Sequence, residues 1–369
     1  APAPGLGGIV VIDEHDEGLQ QEQTPTWHAR DVAVERARRA GVPCVLLSPV
    51  PSLAALAEVS PGAVSVPSRA EERAGWPVVD LIDRRDEPPG RLGLFSDRLV
   101  PHLRRPGRVI GVLNRTGRSR LLACAACGEL ARCEVCAAAV AEVEAGSLTC
   151  PRCTHRRPRL CASCGSTSLK NLRLGIGRAR EELSALLREP VGEVTATTGT
   201  VPGERVVIGT EAVLHQVDEA AVVAFLDVDQ ELVAPRYRAA EQTLALLARA
   251  ARLLGGREGG GRLVVQTRLP SHEVLQAVLH ADPGRIVAGE RSRREVLGFP
   301  PAVALATVSG AGAEAFVDSL DVGPGAEVLG PRDGAYLVRA PAPAALADLL
   351  ATGTRPPERL RLHVDPARL

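Results

Sequence analysis

Eight of the nine cysteines fall between residues 124 and 165, in "CAACGELARCEVCAAAVAEVEAGSLTCPRCTHRRPRLCASCG". They form four Cys-x-x-Cys pairs: Cys124/Cys127, Cys133/Cys136, Cys150/Cys153 and Cys161/Cys164. Such a turn aims two thiolates at one point and supplies half of a tetrahedral zinc site. Four pairs therefore imply two Zn2+ ions, each held by four thiolates. Gly128 and Gly165 directly follow a pair, where the tight turn favours a residue that tolerates positive φ. A redox or disulfide cluster is the competing reading; the regularity of the pairs counts against it. About fifty residues with almost no aromatic side chain cannot build a core unaided, so the metals also hold the module together. His155 reads as a surface group or a neighbour of the ligands, and Cys44, in "VPCVLL", as a buried strand thiol. Four pairs can share two metals in three ways. Thirteen residues separate the second pair from the third, close to a zinc-ribbon spacing. That favours a nested arrangement, second with third and first with fourth.

The net charge of the 369-residue chain is zero, but the charge is unevenly placed. From Arg98 to Arg180 there are sixteen Arg or Lys against four acids, a balance of +12 that falls to +8 once two zinc ions and eight thiolates are counted. A basic field beside zinc knuckles is a nucleic-acid footprint. With no aromatic side chains in the module, phosphate contact by arginine is the mode it supports, not base stacking. Arg115, Arg118, Arg120, Arg156, Arg157 and Arg159 are the candidate DNA contacts. The bland alternative is a solvated surface in a chain where 43 of 44 basic residues are arginine.

These side chains must be carried by an α/β scaffold. The apolar run "IVVI" (9–12) reads as a buried parallel strand with Asp13, Glu14 and His15 at its carboxyl end. Helix 27–41, strand 43–48, helix 51–59 and strand 77–83 continue a doubly wound layer. The Pro/Gly-rich stretch 84–93 reads as a linker. A second series follows, with strand 108–114, the cysteine insert, helix 177–187, strands 205–210 and 221–229, helix 238–255 and strand 262–267. Beyond residue 300 short strands and an Ala/Leu helix suggest a small α+β domain. No apolar run is long enough to span a membrane. The start, "APAPGLGG", lacks Met and the features of a signal peptide, so the chain reads as a cytoplasmic fragment or processed product.

The order of motifs resembles the PriA family of replication-restart DNA helicases. The matching pieces are Asp13-Glu14-His15, "HARD", "VLNRTGRSRLLAC", the four cysteine pairs, "IGT", "FLDVDQELVAPRYRAAEQ", "FPP" and the closing "LHVDPARL". The resemblance runs over nearly the whole chain. It implies RecA-like helicase lobes, the first one partial: residues 1–90 as the end of the first lobe, 91–300 as the second, a zinc-binding insert at 121–172, and a small C-terminal domain at 301–369. It implies forked or branched DNA and other primosome proteins as partners, with the zinc module also serving protein contacts. The family pairs its cysteines in the nested way. ATP and Mg2+ are the implied cofactors, with Asp13 and Glu14 as the residues that would hold Mg2+.

The departures concern hydrolysis. No G-x-x-x-x-G-K-[ST] loop is present, and the only lysine, Lys170, lies in "SLKNL". The loop either precedes residue 1 or is missing altogether. Where the family has a Lys-Gly pair this chain has His215-Gln216, and Leu253 and Gly256 occupy the positions of the arginine fingers. Such a finger contributes a factor of roughly 10³ to 10⁵ in rate in related phosphoryl transferases. Arg252 and Arg257 lie one residue off register. The sequence therefore reads as a helicase-superfamily scaffold that binds DNA and assists primosome assembly without turnover. Its rivals are an active ATP-dependent 3′-to-5′ helicase whose phosphate loop lies upstream, a zinc-stabilised protein scaffold without DNA contact, and a zinc-ribbon chaperone module. A first lobe of about ninety residues is also expected to leave part of its sheet uncovered.

Overall fold

The computed structural model describes residues 4–85, 87, 93–113, 122–144, 146–171 and 175–366. It divides the chain into two compact units, residues 1–66 with 286–369, and residues 67–285.

The first unit begins with β1 (Ile9–Ile12) and β2 (Cys44–Leu47), a parallel pair in which Ile9 faces Cys44 and Ile12 faces Leu47. The helix Ala29–Ala40 connects them, capped by His28, whose Nδ1 accepts from Arg30 N, and closed by Gly41 at φ 66°. Among the described residues, these two strands alone make up the sheet. Its alternate positions Val10, Ile12, Val45 and Leu47 keep between 47% and 69% of their surface exposed. Parallel strands elsewhere are covered on both faces.

The second unit is built on a six-stranded, all-parallel sheet. Its strands are β3 (Val78–Asp83), β4 (Val109–Val112), then β10 (Val191–Val194), β11 (Val206–Gly209), β12 (Val222–Phe225) and β13 (Arg262–Thr267), after five short strands of the cysteine module. The order is β10-β11-β4-β12-β13-β3. Every residue of β4, β11 and β12 is buried, as central strands sandwiched between helices require. The helix Ala239–Leu254 lays Leu244, Leu247, Ala251 and Leu254 inward and stops at Gly255, φ 68°. The strand expected at 77–83 forms, but not beside β1 and β2. It hydrogen-bonds β13 from Val78 to Asp83 and closes the edge of the second sheet. The division between compact units falls at residue 66, before that strand.

The cysteine module inserts between β4 and β10. It contains β5 (Leu122–Cys124), β6 (Ala141–Glu144), β7 (Ser147–Thr149), β8 (Arg156–Pro158) and β9 (Leu169–Asn171). β5 and β9 pair antiparallel at its stem, and β6, β7 and β8 form a separate three-stranded sheet. Leu148 and Ala123 are fully buried, and Ala123, Leu130 and Ala139 pack on Val233 and Leu269 of the sheet unit.

The chain ends in a four-stranded antiparallel sheet, β14 (Ala304–Ser309), β15 (Glu327–Arg332), β16 (Ala335–Ala340) and β17 (Arg361–Val364), ordered β15-β16-β14-β17. Helices Ala313–Asp318 and Pro343–Thr352 cover it through Phe316, Leu346 and Leu349. This sheet belongs to one compact unit with residues 1–66: Thr26 N donates to Leu362 O at 3.2 Å, and Thr26 Oγ1 to Val364 O at 2.9 Å. Among the described residues, no helix is long and apolar enough to cross a membrane.

Candidate metal centres and the helicase-motif residues

The four Cys-x-x-Cys turns share one backbone design. After each, the fifth residue donates its N–H to the carbonyl of the first cysteine: Gly128 to Cys124, Ala137 to Cys133, Thr154 to Cys150 and Gly165 to Cys161, at 2.9 to 3.0 Å. The first cysteine of each in turn donates its own N–H one residue further on, to Glu129, Ala138, His155 and Ser166. The closing residue must take a left-handed conformation. Gly128 (φ 76°) and Gly165 (φ 72°) do so freely; Ala137 (φ 57°) and Thr154 (φ 60°) do so against the Cβ penalty of about 1–2 kcal/mol. Two of these four turns were thus legible from their glycines and two were not.

The turns bring the thiols into two groups, Cys124, Cys127, Cys161 and Cys164, and Cys133, Cys136, Cys150 and Cys153, with all sulfurs of a group within 4.8 Å of one another. First pair meets fourth and second meets third. The closest sulfurs lie 3.5 Å apart for Cys124 and Cys164, 3.6 Å for Cys127 and Cys161, 3.4 Å for Cys133 and Cys153, and 3.5 Å for Cys136 and Cys150. A tetrahedral ion with Zn–S bonds of about 2.3 Å places its sulfurs about 3.8 Å apart, so both quartets are shaped for such an ion. Ala126 N also points at Cys124 Sγ, 3.4 Å away, as a donor to a thiolate would. His155 and Cys44 stand outside both groups. Cys44 lies half-buried in β2, and burial pushes its thiol up.

The candidate DNA arginines separate. Arg115, Arg118 and Arg120 lie outside the described residues. Arg156 is exposed on β8. Arg157 is buried, and its guanidinium donates to the carbonyls of Leu160 and Arg132. Arg159 donates to Glu142 at 3.0 Å and to the carbonyls of Thr167 and Leu169. Arg157 and the half-buried Arg159 thus both carry hydrogen bonds within the module. Alternation along β8 turns Arg157 inward, between exposed Arg156 and Pro158.

Asp13 and Glu14, the candidate Mg2+ residues, sit at the end of β1. Glu14 is wholly buried: Oε1 accepts from Ser52 N at 2.7 Å, and Oε2 accepts from Ser52 Oγ at 2.8 Å and from Arg30 Nη1 at 3.4 Å. Ser52 Oγ also accepts from Ala55 N at 3.1 Å, capping the helix Leu53–Glu58. Burial works against the Arg30 charge, and Asp31, Glu14 and Asp365 outweigh it, so the guanidinium stays charged. Asp13 is half-buried with φ 55°, in the turn that ends β1. Glu14 ties the ends of three elements together. His15 Nδ1 lies 2.8 Å from Ser48 Oγ, joining the carboxyl ends of β1 and β2.

At the finger positions, Gly256 cannot carry a side chain, because a Cβ there would sit 2.5 Å from Ala74 O. Leu253 is half-buried and its carbonyl accepts from Ala220 N at 2.8 Å. Arg252 and Arg257 are exposed. Gln216 donates to Thr195 O at 3.0 Å.

One charged cluster was not foreseen. Behind the carboxyl ends of β12 and β13, Arg84, Leu94, Asp227, Asp229, Gln266 and Arg268 line a pocket. Asp229 accepts from Thr267 Oγ1 and, at 2.8 Å, from Arg268 N. Burial, and then the charge of Asp229, push the Asp227 carboxyl up to about 6. The spacing "LDVD" at the end of a buried strand was the available signal, since it puts both acids where the strand leaves the core.

No protein-family model matches the chain. Among curated proteins it is 29% identical over 336 residues to the replication restart protein PriA of Bacillus subtilis, covering 84% of this chain and 42% of that protein. It is 29% identical over 329 residues to that of Treponema pallidum (83% and 50%) and 27% over 320 residues to that of Haemophilus influenzae (80% and 44%). The chain thus spans half or less of the length of these relatives.

Proposed function

We propose that this chain, a homologue of the PriA replication restart proteins, serves replication restart as a zinc-stabilised scaffold that binds forked or branched DNA and contacts other primosome proteins without hydrolysing ATP. The six-stranded parallel sheet is read as the second RecA-like lobe, carrying the zinc insert at 121–172, and β1 and β2 as a remnant of the first. Each thiolate quartet is read as holding one Zn2+. Asp13, Glu14 and the Mg2+ of a nucleotide are not given a catalytic role.

The observation that carries the absence of turnover is the buried carboxylate of Glu14, whose oxygens are taken by Ser52 and Arg30. Gly256, hemmed in by Ala74 O, supports the same reading. Phosphoryl transfer needs charge placed on the γ-phosphate as the bond breaks, and neither finger position supplies it. The test is ATP hydrolysis by the full-length gene product with forked DNA present. The expected rate does not exceed that of an Asp13→Ala, Glu14→Ala variant. A DNA-stimulated rate that the double change abolishes would put the helicase reading in its place.

A further inference from the structure

We infer that the outer centre, Cys124, Cys127, Cys161 and Cys164, is an oxidisable metal site that a hydroperoxide empties while the inner centre keeps its ion. This rests on the reading that each quartet holds one Zn2+.

The two quartets are chemically identical and differ in cover. In the outer one, Cys127 and Cys164 are exposed while Cys124 and Cys161 are buried. In the inner one no cysteine is exposed: Cys133 and Cys150 are buried, Cys136 and Cys153 half-buried. The inner four all belong to the module's own apolar core around Leu148, Val140 and Ala138, to which Cys127 and Cys164 do not contribute. Oxidation of cysteine follows thiolate character and access. Zinc keeps all eight sulfurs as thiolates, so access decides between the centres.

Each exposed sulfur has a buried partner in reach. Cys127 lies 3.6 Å from Cys161, and Cys164 lies 3.5 Å from Cys124. The Cys127 thiolate attacks the distal oxygen of the hydroperoxide, breaking the O–O bond. It becomes a sulfenic acid, and the alkoxide or hydroxide leaves and takes up a proton. The Cys161 thiolate then attacks the sulfenic sulfur, forming the S–S bond and expelling hydroxide, which is protonated to water. Two thiolates, one hydroperoxide and two protons give one disulfide, one alcohol (or water) and one water. The sulfurs are oxidised, the peroxide oxygens are reduced, and Zn2+ departs to solvent as its ligands lose charge. Cys164 and Cys124 follow the same course with a second equivalent.

The consequence is local. The outer quartet closes the stem of the module, since Cys124 ends β5, which pairs with β9. The inner quartet closes the three-stranded sheet around Leu148. Oxidation therefore replaces the outer ion with cross-links between the first and fourth turns at the stem and leaves the inner fold standing.

The experiment uses the full 369-residue chain, purified under reducing conditions, with its zinc content measured first. Hydrogen peroxide is then added, zinc release is followed with a colorimetric chelator, and early disulfides are mapped by alkylation and mass spectrometry. One ion is expected to leave roughly tenfold or more faster than the other. The first disulfides should join outer cysteines, and reductant with added zinc should reverse them. A Cys127→Ser, Cys164→Ser variant should lack the fast phase; mapping in the unaltered chain carries the test if that variant does not fold. Two ions leaving at one rate, or early disulfides among Cys133, Cys136, Cys150 and Cys153, would overturn the inference and leave the two-zinc reading intact. Fewer than two ions at the outset would overturn the two-zinc reading and the inference with it.

Discussion

Ser52 grips both oxygens of the Glu14 carboxylate, through its backbone N–H at 2.7 Å and its hydroxyl at 2.8 Å, while the same hydroxyl caps the next helix. A buried charge of this kind is stable only while its donors remain. Replacing Ser52 with Ala removes a helix cap and a hydrogen bond to a buried carboxylate together. The expected loss is about 2–4 kcal/mol in chemical unfolding. A loss within the range of ordinary surface changes would mean that Glu14 is not held in this way.

Metal removal should separate the module from the sheet unit. The module's core consists largely of its own cysteines and a few Ala, Val and Leu residues, so chelation should unfold it. The six-stranded sheet has its own core around Leu99, Leu103 and Ile208, and its helical circular-dichroism signal should persist. Two zinc ions per chain are expected, with loss of one in Cys150→Ser. Unchanged zinc content in that variant would contradict the arrangement.

Arg157 should matter for stability. Its guanidinium is buried against the Leu160 and Arg132 carbonyls. Arg157→Ala should lower the thermal stability of the module by about 1–3 kcal/mol, by removing a buried side chain and its hydrogen bonds to two part-buried carbonyls. Arg156→Ala, on the exposed side of the same strand, should lower stability by less than Arg157→Ala does. Equal effects of the two would contradict the inward and outward assignment.

Asp227 should make the fold less stable as pH rises. Its folded value of about 6 lies above the usual carboxylate range, so between roughly pH 4 and 6 the folded state holds more protons than the unfolded chain. That stability is present at low pH and lost as pH rises through about 6. Asp227→Asn should therefore be more stable than the unaltered chain at pH 7, by up to about 3 kcal/mol, and the difference should shrink toward pH 4. A difference that does not change with pH would exclude this origin.

Most of the architecture was legible because buried parallel strands write themselves as apolar runs, as in "VVIG" and "VVAF". β10 escaped notice because Gly192 and Glu193 interrupt its apolar pattern, although three of its four residues are buried. The placement of β3 was not legible either, since "VVDLID" suits either sheet and only its register with β13 decides. At the metal centres, residue type and spacing carried the whole reading. For the arginines they did not: a count of positive charges does not distinguish Arg157, which alternation turns inward, from Arg156. The bonds of Glu14 to Ser52 and Arg30 were not legible either, as a motif acid looks the same in sequence whatever it faces.

The central claim is that the chain binds forked DNA through phosphate contacts and independently of ATP hydrolysis. Fluorescence anisotropy of a labelled fork, titrated with the zinc-loaded chain across a range of salt, tests it most directly. Affinity should fall linearly on a log–log plot as salt rises, because arginine–phosphate pairing releases counterions. An Arg115→Ala, Arg118→Ala, Arg120→Ala variant should bind more weakly and flatten the slope by about one for each phosphate it no longer neutralises. Adding ATP should leave the curve unchanged. Binding that ignores salt, or a triple variant that binds as tightly as the unaltered chain, would contradict the account.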